Sequence, residues 1–236
     1  MAATGTKGVG QYRTQTPFVA RREFPDVEAQ VDLYRQIIDG ADERPATFRA
    51  LDVGGDKHLQ SFSTEVEETS LMGWRSMRIL MKRISILRHP VRALIRASSG
   101  KEMRLMFPMV SDITEFEEVK RIVDREMALA RHRGFEPLSA LFSGAMIEVP
   151  AMLWQLDKLP QKVDFLPIGT NGLFQFIFAA DRANGRVTSR YDKLPPAFLR
   201  VLDQITRACG KGGAPVAVCS EMAGHPLEAL ALIGLG

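Results

Sequence analysis

Residues 163–182 have the sequence VDFLPIGTNGLFQFIFAADR, and this stretch indicates how the fold is built. An apolar run, Phe165–Ile168, leads into a small polar corner, Gly169–Gly172, and a second apolar run then continues to Asp181. A short apolar run bounded by glycine and polar residues is typical of a buried strand. The pattern predicts a buried strand, a tight turn and a helix, with the turn placed where an α/β fold binds its ligand.

Five other short apolar runs share this strand pattern, and helical patterns lie between them. The strands are predicted at residues 8–13, 47–53, 103–110, 144–149, 164–170 and 215–220. Helices are predicted at residues 26–40, 111–134 and 195–213, with Gly40 as the cap that ends the first and Ser111 or Asp112 as the cap that begins the second. Near-continuous apolar strands that alternate with helices indicate parallel strands covered by helices, as in a barrel or a doubly wound sheet. No linker interrupts the pattern, which predicts one domain over residues 1–236.

The composition is that of a soluble globular protein. The chain has 236 residues, of which 45% are hydrophobic and 25% are charged. Its apolar stretches are interrupted before the ~20 residues that cross a bilayer, and its start lacks the pattern of a signal peptide. Two cysteines, Cys209 and Cys219, are too few for a disulfide framework. We therefore expect a cytoplasmic protein without a membrane span.

The net charge of +3 bears on the choice of partner. The basic runs Lys82–Arg83 and Arg131–Arg133 are short and lack interleaved aromatic residues. We interpret them as solvated helix faces and expect no nucleic acid partner. A basic surplus also suits a pocket for a small polyanion.

Polar residues recur at the ends of the predicted strands. They are Arg13, Arg49, Asp52, Glu148, Asn171, Cys219 and Glu221. The carboxyl ends of the strands of a (β/α)8 barrel face the active site, so these side chains are expected to converge there. The alternative is that the strands end at the surface, where polar residues are tolerated. A charged group inside a strand, such as Arg49, is costly unless it is paired or faces a ligand, which favours the first interpretation.

A series of short motifs follows one another along the chain. They are GVGQYRT (8–14), FRALDVGGDK (48–57), MGWRSMRI (72–79), VRALIRASS (91–99), MRLMFPMV (103–110), MIEVP (146–150), IGTNGLFQ (168–175), AADRANGR (179–186) and VCSEMAG (218–224). In this order they resemble the phosphoenolpyruvate (PEP)-binding domain of enzyme I of the bacterial phosphotransferase system, and LFQFIFAADR resembles its nitrogen-related form. The resemblance covers nearly the whole chain and implies a (β/α)8 TIM barrel of the PEP/pyruvate type.

The resemblance implies a transferase. PEP and Mg²⁺ bind in the barrel, and the phosphoryl group passes to a histidine on a separate swivelling domain and on to a phosphocarrier protein, leaving pyruvate. The substrate arginines of the family correspond to Arg13, Arg49, Arg75 and Arg182. Planar guanidinium groups suit both the phosphate and the carboxylate of PEP.

Three further residues correspond to members of the family's site. Asn171 matches a residue that holds the polar end of the substrate, and Glu148 matches one metal-binding carboxylate. Cys219 matches the cysteine that protonates the enolate carbon as pyruvate forms. A thiol suits that role because its pKa lies not far above neutrality. Cys209 we interpret as structural.

The chain departs from the family at four positions. Gly172 replaces an aspartate that is the family's second metal carboxylate, so we expect weakened magnesium binding. Gln15 stands where a glutamate is usual, and Ser220 stands where glycine usually follows the cysteine. Pro167 lies within the fifth strand although proline cannot donate to a ladder.

The resemblance also concerns the two ends of the barrel. It implies a strand and a helix before the first motif and another strand after LIGLG (232–236), so we expect about six strands and no phosphohistidine domain in this sequence. Three hypotheses stay open at this point: an enzyme I-like phosphotransferase barrel, a catalytically impaired PEP-binding or regulatory module, and a barrel of the pyruvate phosphate dikinase or PEP synthase type. The resemblance further implies a homodimer.

Overall fold

The computed structural model of the protein describes residues 5–16, 26–54, 72–181, 184–188 and 194–236. The chain divides into two compact units. The first comprises Met1–Pro108 and Phe116–Ser143, and the second comprises Met109–Glu115 and Gly144–Gly236. The expectation of one domain over residues 1–236 stays a prediction.

Strands and helices alternate along the described residues. The strands are β1 Val9–Arg13, β2 Ala46–Arg49, β3 Glu102–Phe107, β4 Ala140–Ala145, β5 Leu166–Ile168 and β6 Val216–Val218. The α-helices are α1 Val27–Gly40, α2 Met77–Lys82, α3 Ile84–Ala97, α4 Ile113–His132, α5 Thr170–Ile177, α6 Gly185–Thr188, α7 Pro196–Gly212 and α8 Pro226–Gly234. Short 3₁₀ helices lie at Pro150–Gln155, Leu159–Gln161 and Glu221–Gly224. Within the described ranges, no helix has the length and apolar character needed to span a bilayer.

The first unit is built on a sheet with the strand order β1-β2-β3-β4. β1 pairs with β2 and β2 pairs with β3 in parallel, which places Arg13 opposite Arg49 and Arg49 opposite Met106. Tyr12, Tyr34 and Phe48 form a cluster of edge-to-face rings beneath this sheet, with ring centroids 5.5–6.5 Å apart. Tyr34 is fully buried, so α1 is held against the strands by aromatic packing.

The second unit contains the parallel pair β5 and β6, and residues 144–147 run beside β5. The carbonyl of Pro167 accepts a hydrogen bond from the Ile147 N–H at 2.8 Å, and the Gly169 N–H donates to the Ile147 carbonyl at 3.0 Å. On the other side of β5, the Leu166 N–H donates to Pro215 at 2.9 Å. Alternate residues of a parallel strand bond to alternate neighbours, so β5 keeps hydrogen bonds on both sides although Pro167 donates none.

The predicted helices at residues 26–40, 111–134 and 195–213 are confirmed as α1, α4 and α7. Asp112 begins α4, because its carboxylate accepts from the Thr114 N–H at 2.8 Å and Glu115 reaches back to the Asp112 N–H at 3.3 Å. The prediction for Gly40 is wrong: it is the last helical residue, and the left-handed residues that reverse the chain are Asp42 and Glu43, with φ of 54° and 61°. Asp42 is an exposed, short polar residue of a type that tolerates this conformation.

Five predicted strands coincide with observed strands, and the fourth is displaced. We predicted it at residues 144–149, whereas β4 is Ala140–Ala145. Residues 144–148 are buried, which explains their apolar character, but they contact β5 through isolated bridges rather than a regular ladder. Because the prediction followed burial alone, the predicted fourth strand lies too far toward the C-terminus.

The predicted tight turn at Gly169–Gly172 is also wrong. Helix α5 begins at Thr170, directly after the capping position Gly169, so residues 170–172 form its first turn. The predicted strand and helix on either side are both present as β5 and α5. The polar corner is thus a strand-to-helix junction whose backbone N–H groups point out of the helix start.

A cluster of charged side chains lies between α3 and α4 in the first unit, and it provides a test of how these two helices pack together. Glu126 is 2% exposed and accepts hydrogen bonds from the guanidinium groups of Arg88 and Arg92. Burial raises the pKa of Glu126, but Arg92 and Arg88 outweigh it, and the net effect lowers the pKa from its ordinary value of 4.5. We expect Glu126→Gln to lower the free energy of unfolding at pH 7 by about 1–3 kcal/mol, measured by urea denaturation.

The difference in free energy of unfolding between the unaltered chain and Glu126→Gln depends on pH, and its direction follows from the lowered pKa. A lowered native pKa contributes stability that is fully present above the pKa of the unfolded chain and is lost as the pH falls through the native pKa. The gap between the unaltered chain and Glu126→Gln should therefore shrink at pH 3. Asp124→Asn, at an exposed residue paired with Lys120 on the same helix, is the control and should change stability by less than about 0.5 kcal/mol. A gap at pH 3 as wide as that at pH 7 would contradict the assignment.

Candidate functional site

Two arginines predicted to bind substrate lie side by side in the first unit. Arg13 ends β1 and Arg49 ends β2, and the parallel register places these two residues opposite each other. Arg13 is exposed, whereas Arg49 is only 6% exposed. The hydroxyl of Thr14 donates to the Arg49 carbonyl at 2.9 Å, which ties the end of β1 to the end of β2. Parallel pairing therefore brings these two predicted residues together.

Arg75 and Arg49 share one buried carboxylate, that of Asp52. Nε and Nη2 of Arg75 donate to the two oxygens of Asp52 at 2.9 and 3.0 Å, in a bidentate fork. Nη2 of Arg49 lies 3.4 Å from Oδ2 of the same carboxylate. Asp52 is 1% exposed and Arg75 is 7% exposed, so these charges are held away from water. The structure thus places Arg13 beside Arg49 and Arg49 beside Asp52, and the role of these residues in an active site stays a prediction.

A glycine allows the segment of Arg75 to approach the end of β2. Gly54 has φ of 99° and forms an isolated bridge with Arg75. A Cβ atom at position 54 would lie 2.4 Å from the backbone oxygen of Trp74. Only glycine tolerates both this backbone conformation and this close approach. The neighbouring Gly55 and the predicted substrate residue Arg182 lie outside the described residues.

Gln15, one of the departures from the family pattern, follows β1 and is 3% exposed. Its Oε1 atom is buried and accepts no hydrogen bond from the part of the chain that the structure describes. A buried carbonyl oxygen in this state is costly to the folded protein. No described contact explains why an amide stands at this position.

Glu148, predicted as a metal ligand, lies in the second unit and is 8% exposed. Its Oε1 atom accepts a hydrogen bond from the Met109 N–H at 2.8 Å. Met109 has φ of 56°, an unusual conformation for a residue with a side chain, and this conformation aims its amide at the carboxylate. Met109 was not predictable from the sequence, because the direction of a backbone amide leaves no signal in the residue type.

The other oxygen of Glu148 lies over the first turn of α5. A Cβ atom at Gly172 would be 2.8 Å from Oε2 of Glu148, and one at Gly169 would be 3.0 Å from its Cβ. The carboxylate of Glu148 therefore lies in contact with the residue that replaces the family's second metal ligand. The glycines at 169 and 172 leave the space that Glu148 fills.

The described residues do not fit the two-carboxylate magnesium site that the resemblance implies. Glu148 supplies one carboxylate, one oxygen of which already accepts a backbone hydrogen bond, and Gly172 supplies no ligand atom. Among the residues described, no group of three His, Cys, Asp or Glu side chains could hold a metal ion. Magnesium prefers octahedral coordination by oxygen, so a single carboxylate leaves most positions to water or to a ligand.

Cys219 and Asn171 lie at the ends of β6 and β5 in the same unit. The Cys219 N–H donates to the Ile168 carbonyl at 3.1 Å, and its thiol lies 3.5 Å from the same oxygen. Asn171 is half-buried in the first turn of α5. The hydroxyl groups of Thr170 and Ser220 are hydrogen-bonded to each other, which the sequence did not predict. The catalytic and binding roles of these residues stay predictions.

Cys209 is a core residue of α7. It is fully buried on the same helical stripe as Phe198, Leu202 and Ile205. Burial raises the pKa of its thiol to about 11. A thiol in this state is unreactive near neutrality, in agreement with a structural role.

A family model described as the PEP-binding domain of PEP-utilising enzymes matches residues 1–236. The chain is 39% identical over 230 residues to a protein of Salmonella typhimurium named phosphoenolpyruvate-dependent phosphotransferase system, covering 97% of this chain and 31% of that protein. It is 36% identical over 234 residues to a phosphoenolpyruvate-protein phosphotransferase of Lactococcus lactis, covering 98% of this chain and 41% of that protein. The chain thus spans about a third to two fifths of the length of these relatives.

A solved structure shares the fold at low sequence identity. Citrate synthase SbnG matches with a TM-score of 0.52 and 13% identity, over 100% of this chain and 76% of that protein. At this identity the likeness concerns the fold alone. The predicted fold class, an α/β fold of the TIM-barrel type with parallel strands and helices between them, is confirmed.

The shared carboxylate of Asp52 provides a test of the arginine cluster. Asp52→Asn removes the negative charge that the buried guanidinium groups of Arg75 and Arg49 share, so we expect the free energy of unfolding to fall by about 3–5 kcal/mol. Urea denaturation measures this loss. Asp32→Asn, which affects an exposed pair with Arg35 at 3.7 Å, is the matched control and should cost less than about 0.5 kcal/mol. Equal losses of stability in the two variants would contradict the assignment of Asp52 as the shared partner of Arg75 and Arg49.

Proposed function

The chain belongs to the PEP-binding domain family of the PEP-utilising enzymes, and from this membership we propose that it binds PEP as part of an enzyme I-like phosphotransferase. The observation that carries the proposal is the arginine cluster at the ends of β1 and β2. Arg13, Arg49 and Arg75 bring three positive charges and Asp52 brings one negative charge. The surplus of positive charge suits a ligand with a phosphate and a carboxylate.

The proposed reaction transfers the phosphoryl group of PEP to a histidine nitrogen of a separate domain. The bond between phosphorus and the enol oxygen breaks, a phosphorus–nitrogen bond forms, and the enolate that remains takes up a proton at carbon to become pyruvate. Phosphoryl transfer depends mainly on positioning and on neutralising charge, and guanidinium groups supply both. A phosphocarrier protein is the proposed final acceptor of the phosphoryl group.

From the family membership alone, we propose the remaining roles for three further residues. The Cys219 thiol donates the proton to the enolate carbon as a general acid. Asn171 holds the polar end of the substrate through its amide. Glu148 is the carboxylate that accompanies them, held by the Met109 amide. Because the described donors do not fit a two-carboxylate magnesium site, no step is assigned to the metal.

Calorimetry with PEP, with and without Mg²⁺, tests this proposal. We expect binding that Mg²⁺ strengthens by less than about threefold, since a single carboxylate adds few ligands to a bound ion. Failure to bind PEP at millimolar concentration would overturn the proposed function. Strong enhancement by Mg²⁺ would instead overturn the account of Glu148 and Gly172 while leaving PEP binding in place.

Gly172→Asp should restore a second carboxylate beside Glu148. Its Cβ would lie 2.8 Å from Oε2 of Glu148, a flexible group that is able to move aside. Without metal the two carboxylates repel each other, so we expect a lower melting temperature in a chelator and a recovery with Mg²⁺. Mg²⁺ should also strengthen PEP binding by about tenfold, which corresponds to about 1.4 kcal/mol. Gly172→Ala adds the Cβ without the carboxylate and should show neither response to Mg²⁺; a response in both variants would refute the explanation.

Cys219→Ala separates binding from chemistry. Because the thiol is assigned to proton transfer and not to holding PEP, the variant should bind PEP within about twofold of the unaltered chain. Calorimetry at the same pH measures this. Markedly weaker binding in Cys219→Ala would show that the cysteine is structural.

A further inference from the structure

We propose that Ser220 is a positioning residue for Cys219, acting through the hydrogen bond that joins the Thr170 and Ser220 hydroxyl groups, here called the Thr170–Ser220 clamp. The inference rests on the proposed role of Cys219 in the reaction. It assigns a task to a hydroxyl that stands where the family pattern has a glycine, which has no side chain to make this contact.

The clamp joins the first turn of α5 to the segment that follows β6, next to a short strand pair. β6 has three residues, all of them half-buried or exposed, and it pairs with the three residues of β5. Such a short ladder restrains the chain beyond it only weakly, because few hydrogen bonds and little apolar area hold it. The residues directly after β6 therefore depend on local contacts for their position.

Two adjacent residues after β6 are tied to the end of β5. The Cys219 N–H donates to the Ile168 carbonyl at 3.1 Å, and the Cys219 thiol lies 3.5 Å from the same oxygen. One residue later, Ser220 contacts Thr170. The chain is thus held at Cys219 and at the next residue, and these contacts restrain the orientation of the thiol relative to β5.

Thr170 and Ser220 differ in burial, and this difference indicates which of the two residues positions the other. Thr170 is 2% exposed in the first turn of α5, while Ser220 is half-buried in the segment that leads into the 3₁₀ helix Glu221–Gly224. A buried hydroxyl needs a partner, and Ser220 provides it for Thr170. The fixed member is Thr170, so the clamp orders the segment of Ser220 and, with it, Cys219.

The rate of alkylation of Cys219 by iodoacetamide tests the clamp in the full chain. Peptide mass spectrometry separates Cys219 from Cys209, which is fully buried and serves as the internal control. Ser220→Ala and Thr170→Val each remove one hydroxyl, and we expect each to speed the alkylation of Cys219 about three- to tenfold, the range that one lost hydrogen bond produces in an equilibrium. The double variant should be no faster than the singles, because both remove the same contact.

A conservative variant distinguishes positioning from a loss of stability. Thr170→Ser keeps the hydroxyl, so its Cys219 should be alkylated within about twofold of the rate in the unaltered chain. Thr170→Val keeps the shape of the side chain without the hydroxyl, so its Cys219 should be alkylated faster than that. Three outcomes would each overturn the proposal. The first is a Cys219 alkylation rate that is unchanged within twofold, or is slower, in both single variants. The others are additive effects in the double variant and a Thr170→Ser protein that reacts like Thr170→Val. Faster alkylation of Cys209 as well would show general loosening and overturn it too.

The measurement needs no PEP, so its result is independent of the proposed function. A chain that binds PEP but shows no effect of Ser220→Ala would refute the clamp alone. A chain that shows the effect but binds no PEP would refute the PEP chemistry alone.

Discussion

The carboxylate of Asp52 allows two guanidinium groups to be buried at the end of β2. Burying an arginine charge away from water costs several kcal/mol unless a carboxylate offsets it, and Asp52 supplies one carboxylate to both residues. One arginine is held by a bidentate fork and the other lies 3.4 Å away. The pairing with Asp52 also holds the segment of Arg75 beside Gly54.

The carboxylate of Glu148 has a different environment in the second unit. It accepts a hydrogen bond from the backbone of Met109, and it lies over the start of α5 where glycines leave room. The N-terminus of a helix favours negative charge, so this position stabilises the carboxylate without a second acid beside it. The same arrangement holds Glu148 beside Gly172, which has no ligand atom in its side chain, so this corner supplies few ligands to a metal.

The fold was largely predictable because its elements follow local rules. α1, α4 and α7 were predicted from apolar periodicity and from capping residues, and both signals lie within the helix itself. The strands β1, β2, β3, β5 and β6 were predicted from short apolar runs. β4 was displaced because residues 144–148 are as buried as a strand while making only isolated bridges, and burial was the property that the sequence pattern reported. The sequence predicts a tight turn at residues 169–172 because glycine and asparagine favour turns, whereas the structure places residues 170–172 in the first turn of α5.

The candidate site was predictable only where side-chain chemistry carries the signal. Arg13, Arg49, Arg75, Asn171, Glu148 and Cys219 are predicted from the family resemblance of their motifs, and their roles stay predictions. The contribution of Met109 comes from its backbone conformation, which its residue type does not report. The space that Gly172 leaves matters only because Glu148 occupies it, and that contact is a property of the tertiary structure.

The sequence by itself determined the order of strands and helices and which residues carry charge, because these follow from local pattern and composition. It also indicated the family, through the resemblance of its ordered motifs. Only the tertiary structure decided which charges share a partner. Asp52 and Arg75 are separated by 23 positions, and Thr170 and Ser220 by 50, so nothing local links them. Parallel pairing of β5 with β6 brings Thr170 and Ser220 together, whereas an antiparallel bridge between Gly54 and Arg75 brings Arg75 to Asp52. The cost of burying an unpaired polar group then favours each contact.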